Sequence, residues 1–426
     1  MHLPSDSNSS PESSPIHLSN KPGAIPPAGT VASQPLSPKV IFQAPNAKAG
    51  QDYRASLREV AGNSRALQFK EIVLPAALTL TLSEEGELQG QPAVAGDHLI
   101  TFQWSADGVQ WHGGQCVLLV NPDPRSLWQI NEPASDALYP KLHSAALAFN
   151  AGDLNIAAAS RRGRSHEHAG LFRDDDFFVQ HDAASGWSVL LVADGAGSAK
   201  YSRCGSKLAV ETAGEHVLAA LKGDLGASIN HALQAWDADP ESISGQIGGR
   251  FHSLFHDAAV LAVGAIEQAA ALQQSDAKDY ATTLLAAAVK REGGQLFLAT
   301  FWMGDGAIAA YGPRGKVRLM GLPDSGEFAG QTRFLDRAAL ASERFAQRVK
   351  IGRYSDISAV VLMSDGISDP KFETDKGLAS GDKWDALWDE IAPCLVADHP
   401  EQSLLDWMGF FIPGHHDDRS IALLWV

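Results

Sequence analysis

Three short, almost continuous apolar runs, Trp187–Ala193, Gln295–Met303 and Ser358–Met363, are each closed within two residues by an aspartate-glycine pair: Asp194-Gly195, Asp305-Gly306 and Asp365-Gly366. A further pair, Asp417-Asp418, comes just before the last apolar run, Ser420–Val426. Runs of this length without polar alternation read as strands buried on both faces. A single Asp-Gly is first of all a hairpin turn. Several at the ends of buried strands gather like charges at one edge of a sheet, which is unfavourable unless a cation sits among them. Oxygen ligands without cysteine point to a hard ion, Mg²⁺ or Mn²⁺, over zinc. Glycine after the first Asp lets a backbone carbonyl approach such an ion. Upstream lies another acidic run, Asp174-Asp175-Asp176, directly before Phe177-Phe178-Val179.

The 426 residues amount to about three domains' worth at roughly 150 each, and 45% hydrophobic with 20% charged residues is a soluble globular composition. Lys+Arg 34 against Asp+Glu 50 leaves −16, a field that repels nucleic acid and anionic lipid, and no basic patch overrides it. Cys116, Cys204 and Cys394 are odd in number and far apart, which fits neither a disulfide framework nor a thiolate zinc site; a reducing cytoplasm is expected. The Ala-rich run Ala258–Leu272 is broken by Glu267 and Gln268, so no membrane span is expected.

Residues 1–38 are rich in Ser, Pro and Gly and read as a disordered tail. From 39 to 122 short apolar or alternating runs separated by turn residues predict a small all-β sandwich, and 123–150 reads as a linker. From 151 to 426 strands and helices mix: Leu208, Val210, Ala213, Val217 and Leu221 have helical spacing, as does much of Leu225–Tyr280. Leu322–Lys350 is expected to form a flap over the site, helical around Arg337–Arg348.

The stretch LPAALTLTLSEEGELQGQPAVAGDHLITFQW resembles immunoglobulin-like repeats of bacterial proteins. In chain order RDDDFFV, VLLVADGAGSAKYSRCGSKLAVE, YATTLLAAAV, WMGDGAIAAY, LPDSGEFAGQTRFL, VLMSDGISD and HDDRSIALLWV resemble the metal-dependent PPM (type 2C) protein serine/threonine phosphatases, in a divergent bacterial branch, over roughly Gly152–Val426. The resemblance implies an α+β fold, an α-β-β-α sandwich of two antiparallel sheets flanked by helices, after the small immunoglobulin-like sandwich. It implies two ions, Mg²⁺ or Mn²⁺, and in-line attack on phosphorus by a water between them. Asp194 would bridge the ions, Gly195 would offer its carbonyl, and Asp365 and Asp417 would hold one ion. Asp175 would be a ligand, with Asp176 as the alternative one residue on, and Asp174 an outer ligand. Asp305 would contribute to a weaker third metal site.

Two departures stand out. Where many relatives carry a phosphate-binding Arg and some a proton-donating His, this chain has positions near Gly170 and Ala196. Arg173 is the substitute for phosphate, with a structural ion pair as its alternative; His166 or His168 is the substitute proton donor. His415 and His416 adjoin the last ligand and are expected outside the direct ligand set. No G-x-S-x-G elbow, Walker A or G-x-G-x-x-G motif occurs, His166-Glu167-His168 lacks zinc-protease spacing, and Cys204 sits at the start of an apolar helix. The expected partners are phosphoproteins and a cognate serine/threonine kinase, not nucleic acid or membrane. The rival reading is a catalytically weak phosphatase-like scaffold that binds phosphoproteins. Thr332 and Arg333 are expected to influence substrate range more than metal binding.

Overall fold

The computed structural model describes residues 40–60, 66–123, 128–324 and 332–426; the expected tail lies outside them. The chain divides into two compact units, Met1–Leu127 and Trp128–Val426.

In the first unit nine short strands follow one another: β1 (Phe42–Gln43), β2 (Ala47–Lys48), β3 (Tyr53–Ser56), β4 (Arg58–Glu59), β5 (Gln68–Val73), β6 (Leu80–Leu82), β7 (Glu87–Gly90), β8 (Gly96–Ser105) and β9 (His112–Asn121). A four-stranded sheet β2-β9-β8-β5 and a three-stranded sheet β3-β7-β6 share one core. Phe69, Ile100, Phe102, Trp104 and Leu118 enter it from the first, Leu80, Leu82 and Leu88 from the second. The period-2 alternation is plain in β9, where Cys116, Leu118 and Val120 are buried and Val117 and Leu119 are exposed.

The second unit holds β10 (Ser144–Ala151), β11 (Leu154–Arg161), α1 (Arg164–Ala169), β12 (Asp176–Asp182), β13 (Trp187–Ala193), α2 (Ser202–Lys222), α3 (Asp224–Gln234), α4 (Pro240–Leu272), β14 (Leu284–Glu292), β15 (Gln295–Met303), β16 (Ala307–Tyr311), β17 (Val317–Leu319), α5 (Arg337–Leu340), β18 (Val349–Tyr354), β19 (Ala359–Met363), α6 (Asp365–Phe372), α7 (Asp375–Leu378), α8 (Gly381–Leu395), α9 (Pro400–Trp407) and β20 (Arg419–Trp425). Two antiparallel sheets, β10-β11-β20-β19-β16-β17 and β12-β13-β14-β15-β18, pack face to face. Leu190 and Val192 of β13 join Ile156, Leu362 and Leu423 between the sheets. Val189, Leu191 and Ala193 face the other way, onto Val210, Ala213 and Phe251 of the helical layer. That double burial is why the runs are continuously apolar. Trp384, Leu387 and Leu404 of α8 and α9 join the core on the six-stranded side, giving four layers, helix, sheet, sheet, helix. By length and composition α4 is apolar enough to cross a membrane. Its Ile247, Phe251, Phe255, Ala258 and Ala262 form one helical face buried in this unit's core.

Three expectations need correction. Residues 128–150 are not a linker: β10 pairs with β11 along its whole length, and the Tyr139 ring packs on Tyr201 and Tyr280. The Ala-rich SAALAFNA hid this strand, because small side chains at a sheet edge give neither alternation nor an apolar run. The helix expected over Arg337–Arg348 is two pieces, α5 and a 3₁₀ turn at Glu343–Arg348. The Ser342 hydroxyl accepts from the Arg344 amide and restarts the chain there. The segment expected as a flap is, from Leu335 to Phe345, part of the helical layer: Leu335, Leu340 and Phe345 are buried beside α2 and α4. Residues 325–331 of that expected flap lie outside the described residues.

Candidate metal centre

Sheet register builds the acidic cluster. Asp176 pairs with Ala193, so Asp175 and Asp194 are the next opposed positions; Ala307 pairs with Met363, so Asp305 and Asp365 lie just beyond that ladder. Carboxylate oxygens of Asp194, Asp305 and Asp365 all come within 4.8 Å of one another. Asp175, 1% exposed, lies beneath them and accepts from the Ser364 hydroxyl at 2.7 Å. Asp365 and Asp417 line a cleft of about 370 Å³ with Asp369, His415 and His416.

The Asp-Gly pairs are not turns. None of Gly195, Gly306 and Gly366 has a left-handed φ. A Cβ on Gly366 would stand 1.8 Å from the Asp418 carbonyl oxygen, one on Gly306 2.3 Å from that of Met363, and one on Gly195 2.8 Å from that of Asp174. Glycine is required because backbones of the acidic motifs touch there. The Gly195 contact is fixed by its bridge to Thr282, flanked by Thr283 N–H to Asp194 O at 2.8 Å. The Thr283 hydroxyl accepts from the Asp194 amide at 2.9 Å.

Crowding shapes the electrostatics. Burial first, then the charges of Asp175 and Asp365, push Asp194 well above the ordinary carboxylate range. Burial likewise raises Asp175, aided by Asp418, and raises Asp365 to about 7. Asp175 Oδ1 and Asp365 Oδ1 are buried without a hydrogen-bond partner. Orphaned anionic oxygens among other carboxylates are costly unless a cation takes them. The donor set is all oxygen, which fits Mg²⁺ or Mn²⁺.

The other residues singled out in the sequence fall around this cluster. Asp176 is held by Lys141 Nζ at 2.9 Å, whereas the buried Asp175 keeps an unpartnered oxygen, so Asp175 remains the candidate ligand. Arg173 is 2% exposed and donates to the carbonyls of Asp175 at 2.9 Å and Leu142 at 3.4 Å. The expected phosphate contact is corrected: the buried guanidinium bonds backbone carbonyls and lies 3.9 Å from Asp176, the ion-pair alternative. His166 is also corrected as a proton donor. It is buried, with Nδ1 3.0 Å from Asp418 Oδ2 and Nε2 3.8 Å from Asp174. Burial opposes its charge, but Asp418 and Asp174 outweigh that and raise it to about 9. Burial raises Asp174 to about 6 despite His166. His168 is exposed and packs against Trp128.

Asp418 was noted only as the neighbour of Asp417 and given no role, and Asp369 was not singled out. Asp418 accepts from Gly163 N–H at 2.5 Å, from His166 and from the Asp174 amide, so it ties α1, the acidic run and β20 together while Asp417 stays at the rim. Asp369 follows Asp365 by four, one turn along α6, and that i,i+4 spacing was the available signal. Thr332 donates to Asp305. The side chain expected to act on substrate range therefore touches the cluster itself.

The model of the family described as Protein phosphatase 2C matches residues 162–409, more than half of the chain. The chain belongs to the protein phosphatase 2C family. No curated protein sequence matches the chain significantly. Solved structures similar to this chain include the serine/threonine phosphatase of S. agalactiae (17% identity, 64% of this chain and 99% of that one, TM-score 0.38). Stp1, a serine/threonine phosphatase from Staphylococcus aureus, is another (12%, 69% and 99%, TM-score 0.35). A third is PppA, a regulatory component of T6SS in Pseudomonas aeruginosa (15%, 67% and 98%, TM-score 0.35).

Proposed function

We propose that Trp128–Val426 is a phosphatase that requires Mg²⁺ or Mn²⁺ and removes phosphate from phosphoserine and phosphothreonine of partner proteins by in-line attack of water. The observation that carries this is the convergence of Asp194, Asp305 and Asp365, with buried oxygens of Asp365 and of the neighbouring Asp175 left unpartnered. Asp175, Asp194, Asp365 and Asp417, with the Gly195 carbonyl, would hold two ions; Asp305 adds a donor for a third, and Asp174 stands behind them. Divalent ions there supply Lewis-acid charge stabilisation and acidify water, so no protein nucleophile is required. The chain's own part is positional. Ser364 and Thr283 fix Asp175 and Asp194, the Asp418–His166 pair fixes the loop that carries Asp174, and the cleft beside Asp417 admits the phosphorylated residue. His415, which lines that cleft beside Asp365 and Asp369, is placed to give a proton to the leaving alkoxide.

The same reading takes the first unit as an immunoglobulin-like module and the second as a divergent bacterial branch of the family. It places the chain in the cytoplasm and gives it phosphoproteins and a cognate serine/threonine kinase as partners. The test is release of phosphate from p-nitrophenyl phosphate and phosphothreonine peptides with Mn²⁺, with and without EDTA. EDTA-sensitive turnover is expected. Binding of phosphopeptides without turnover would instead favour the scaffold reading.

A further inference from the structure

Beside the metal cluster, α6 and α7 enclose a small pocket of about 150 Å³. Asp305, Asp369 and Asp375 line it, and Phe372 and Leu378 supply apolar wall. Ser368 lines it too; it is 3% exposed, and its Oγ has no hydrogen-bond partner. A buried hydroxyl on a helix ordinarily bonds back to its own backbone, so this one is left available to a ligand in the pocket. Of the nearby lysines, Lys371 pairs with Glu390 and Lys383 with Glu373, while Glu373 and His415 also line the pocket. Among the described residues no ion pair involves Asp305, Asp369 or Asp375.

We propose that this pocket is a subsite for a basic side chain of the phosphoprotein substrate, arginine above all, beside the phosphorylated residue. The proposal rests on the phosphatase reading for the word substrate, but not for the binding it describes. Spacing selects the ligand. Asp194, Asp305 and Asp365 converge as a compact ion requires, whereas among the described residues Asp305, Asp369 and Asp375 form no such group. A small octahedral cation needs its oxygens gathered about one point. A guanidinium carries five N–H donors spread over a planar fork and satisfies separated acceptors. Its donors meet Asp369 and Asp375, the Ser368 hydroxyl accepts a further N–H at depth, and Phe372 and Leu378 cover the methylene stem. The net charge of −16 favours approach of a basic segment in the same sense.

The experiment uses the full chain and phosphothreonine peptides on an alanine background, with one arginine walked through the positions flanking the phosphothreonine and citrulline as its uncharged isostere. Binding is measured by anisotropy in EDTA, and kcat/KM in Mn²⁺. At one placement arginine should bind about five- to tenfold more tightly than citrulline, the size of a partly exposed ion pair, and kcat/KM should rise in parallel. Asp375→Asn and Ser368→Ala should each reduce that preference without changing turnover of the all-alanine peptide. Ser368→Ala should melt no lower than wild type, since it removes an orphaned hydroxyl. Equal affinity for arginine and citrulline at every placement overturns the proposal. So does an Asp375→Asn variant that keeps the preference but needs more Mn²⁺, because the pocket would then hold an ion. An arginine preference in binding without turnover of any peptide would uphold the subsite and defeat the phosphatase reading.

Discussion

At the scale of single residues, burial has given two side chains singled out in the sequence, Arg173 and His166, different work. Arg173 reads as a phosphate ligand because bidentate arginine suits phosphate. Enclosed with its donors on carbonyls, it instead shapes the backbone of the acidic run. Arg173→Ala is therefore expected to destabilise the fold by about 2–4 kcal/mol, as loss of a buried hydrogen-bonded charge does, and thermal melts check this. A fold melting as wild type, with only KM for phosphopeptide raised, would return Arg173 to the phosphate. His415 is tested through the leaving group. His415→Gln should lower kcat for phosphothreonine peptides by about 10²-fold, the usual worth of a positioned acid. It should spare p-nitrophenyl phosphate, whose leaving group departs without a proton. Titration gives a third test. Asp365 is raised to about 7 and His166 to about 9. A raised group contributes stability that is full below its unfolded pKa and lost as pH rises through its folded one. In EDTA the protein should thus lose stability steadily from about pH 5 to 9. Saturating Mn²⁺ should abolish the part lost below about pH 7, which belongs to Asp365, and leave the part lost between about pH 6.5 and 9, which belongs to His166.

At the scale of elements, strands buried on both faces were legible because nothing but a continuous apolar run can serve them; Trp187–Ala193 and Gln295–Met303 are strands with those bounds. Legibility failed where side chains were small or polar atoms competed locally, as in the edge strand β10 and the break at Ser342. The acidic motifs were legible as a set, but the close backbone contacts that demand their glycines were not, since sequence does not reveal which backbones will touch. That contact makes a prediction. Gly366→Ala places a methyl where the Asp418 carbonyl already stands and should cost about 3 kcal/mol or more, beyond ordinary overpacking because backbone must move. Gly197→Ala, with nothing within 4 Å of the added carbon, should melt as wild type. Asp324 accepts from the Gly304 amide at 3.1 Å and pairs with Arg348, while Thr332 donates to Asp305. Thr332→Val should accordingly raise the Mn²⁺ needed for half-maximal thermal stabilisation several-fold, with Thr332→Ser restoring it.

At the scale of the whole molecule, every carboxylate of the cluster, every strand that carries one and both cores beside them belong to Trp128–Val426. The described residues before Trp128 contribute none, so removal of residues 1–127 should leave p-nitrophenyl phosphate turnover within about twofold. Equal loss with a folded truncated protein would mean that the first unit completes the catalytic one. The central claim concerns the sign of a stability change. Without metal the crowded carboxylates repel; a cation bound only by the folded state stabilises by RT ln(1 + [L]/Kd), about 2.7 kcal/mol at a hundredfold excess over Kd. The decisive measurement is the melting temperature of wild type and Asp194→Asn, each in EDTA and in saturating Mn²⁺. In EDTA the variant should melt at or above wild type, because a like charge has gone. In Mn²⁺ the order should reverse, with wild type gaining several degrees and the variant much less. Equal metal-induced shifts in the two proteins would remove Asp194 from the site and contradict the account.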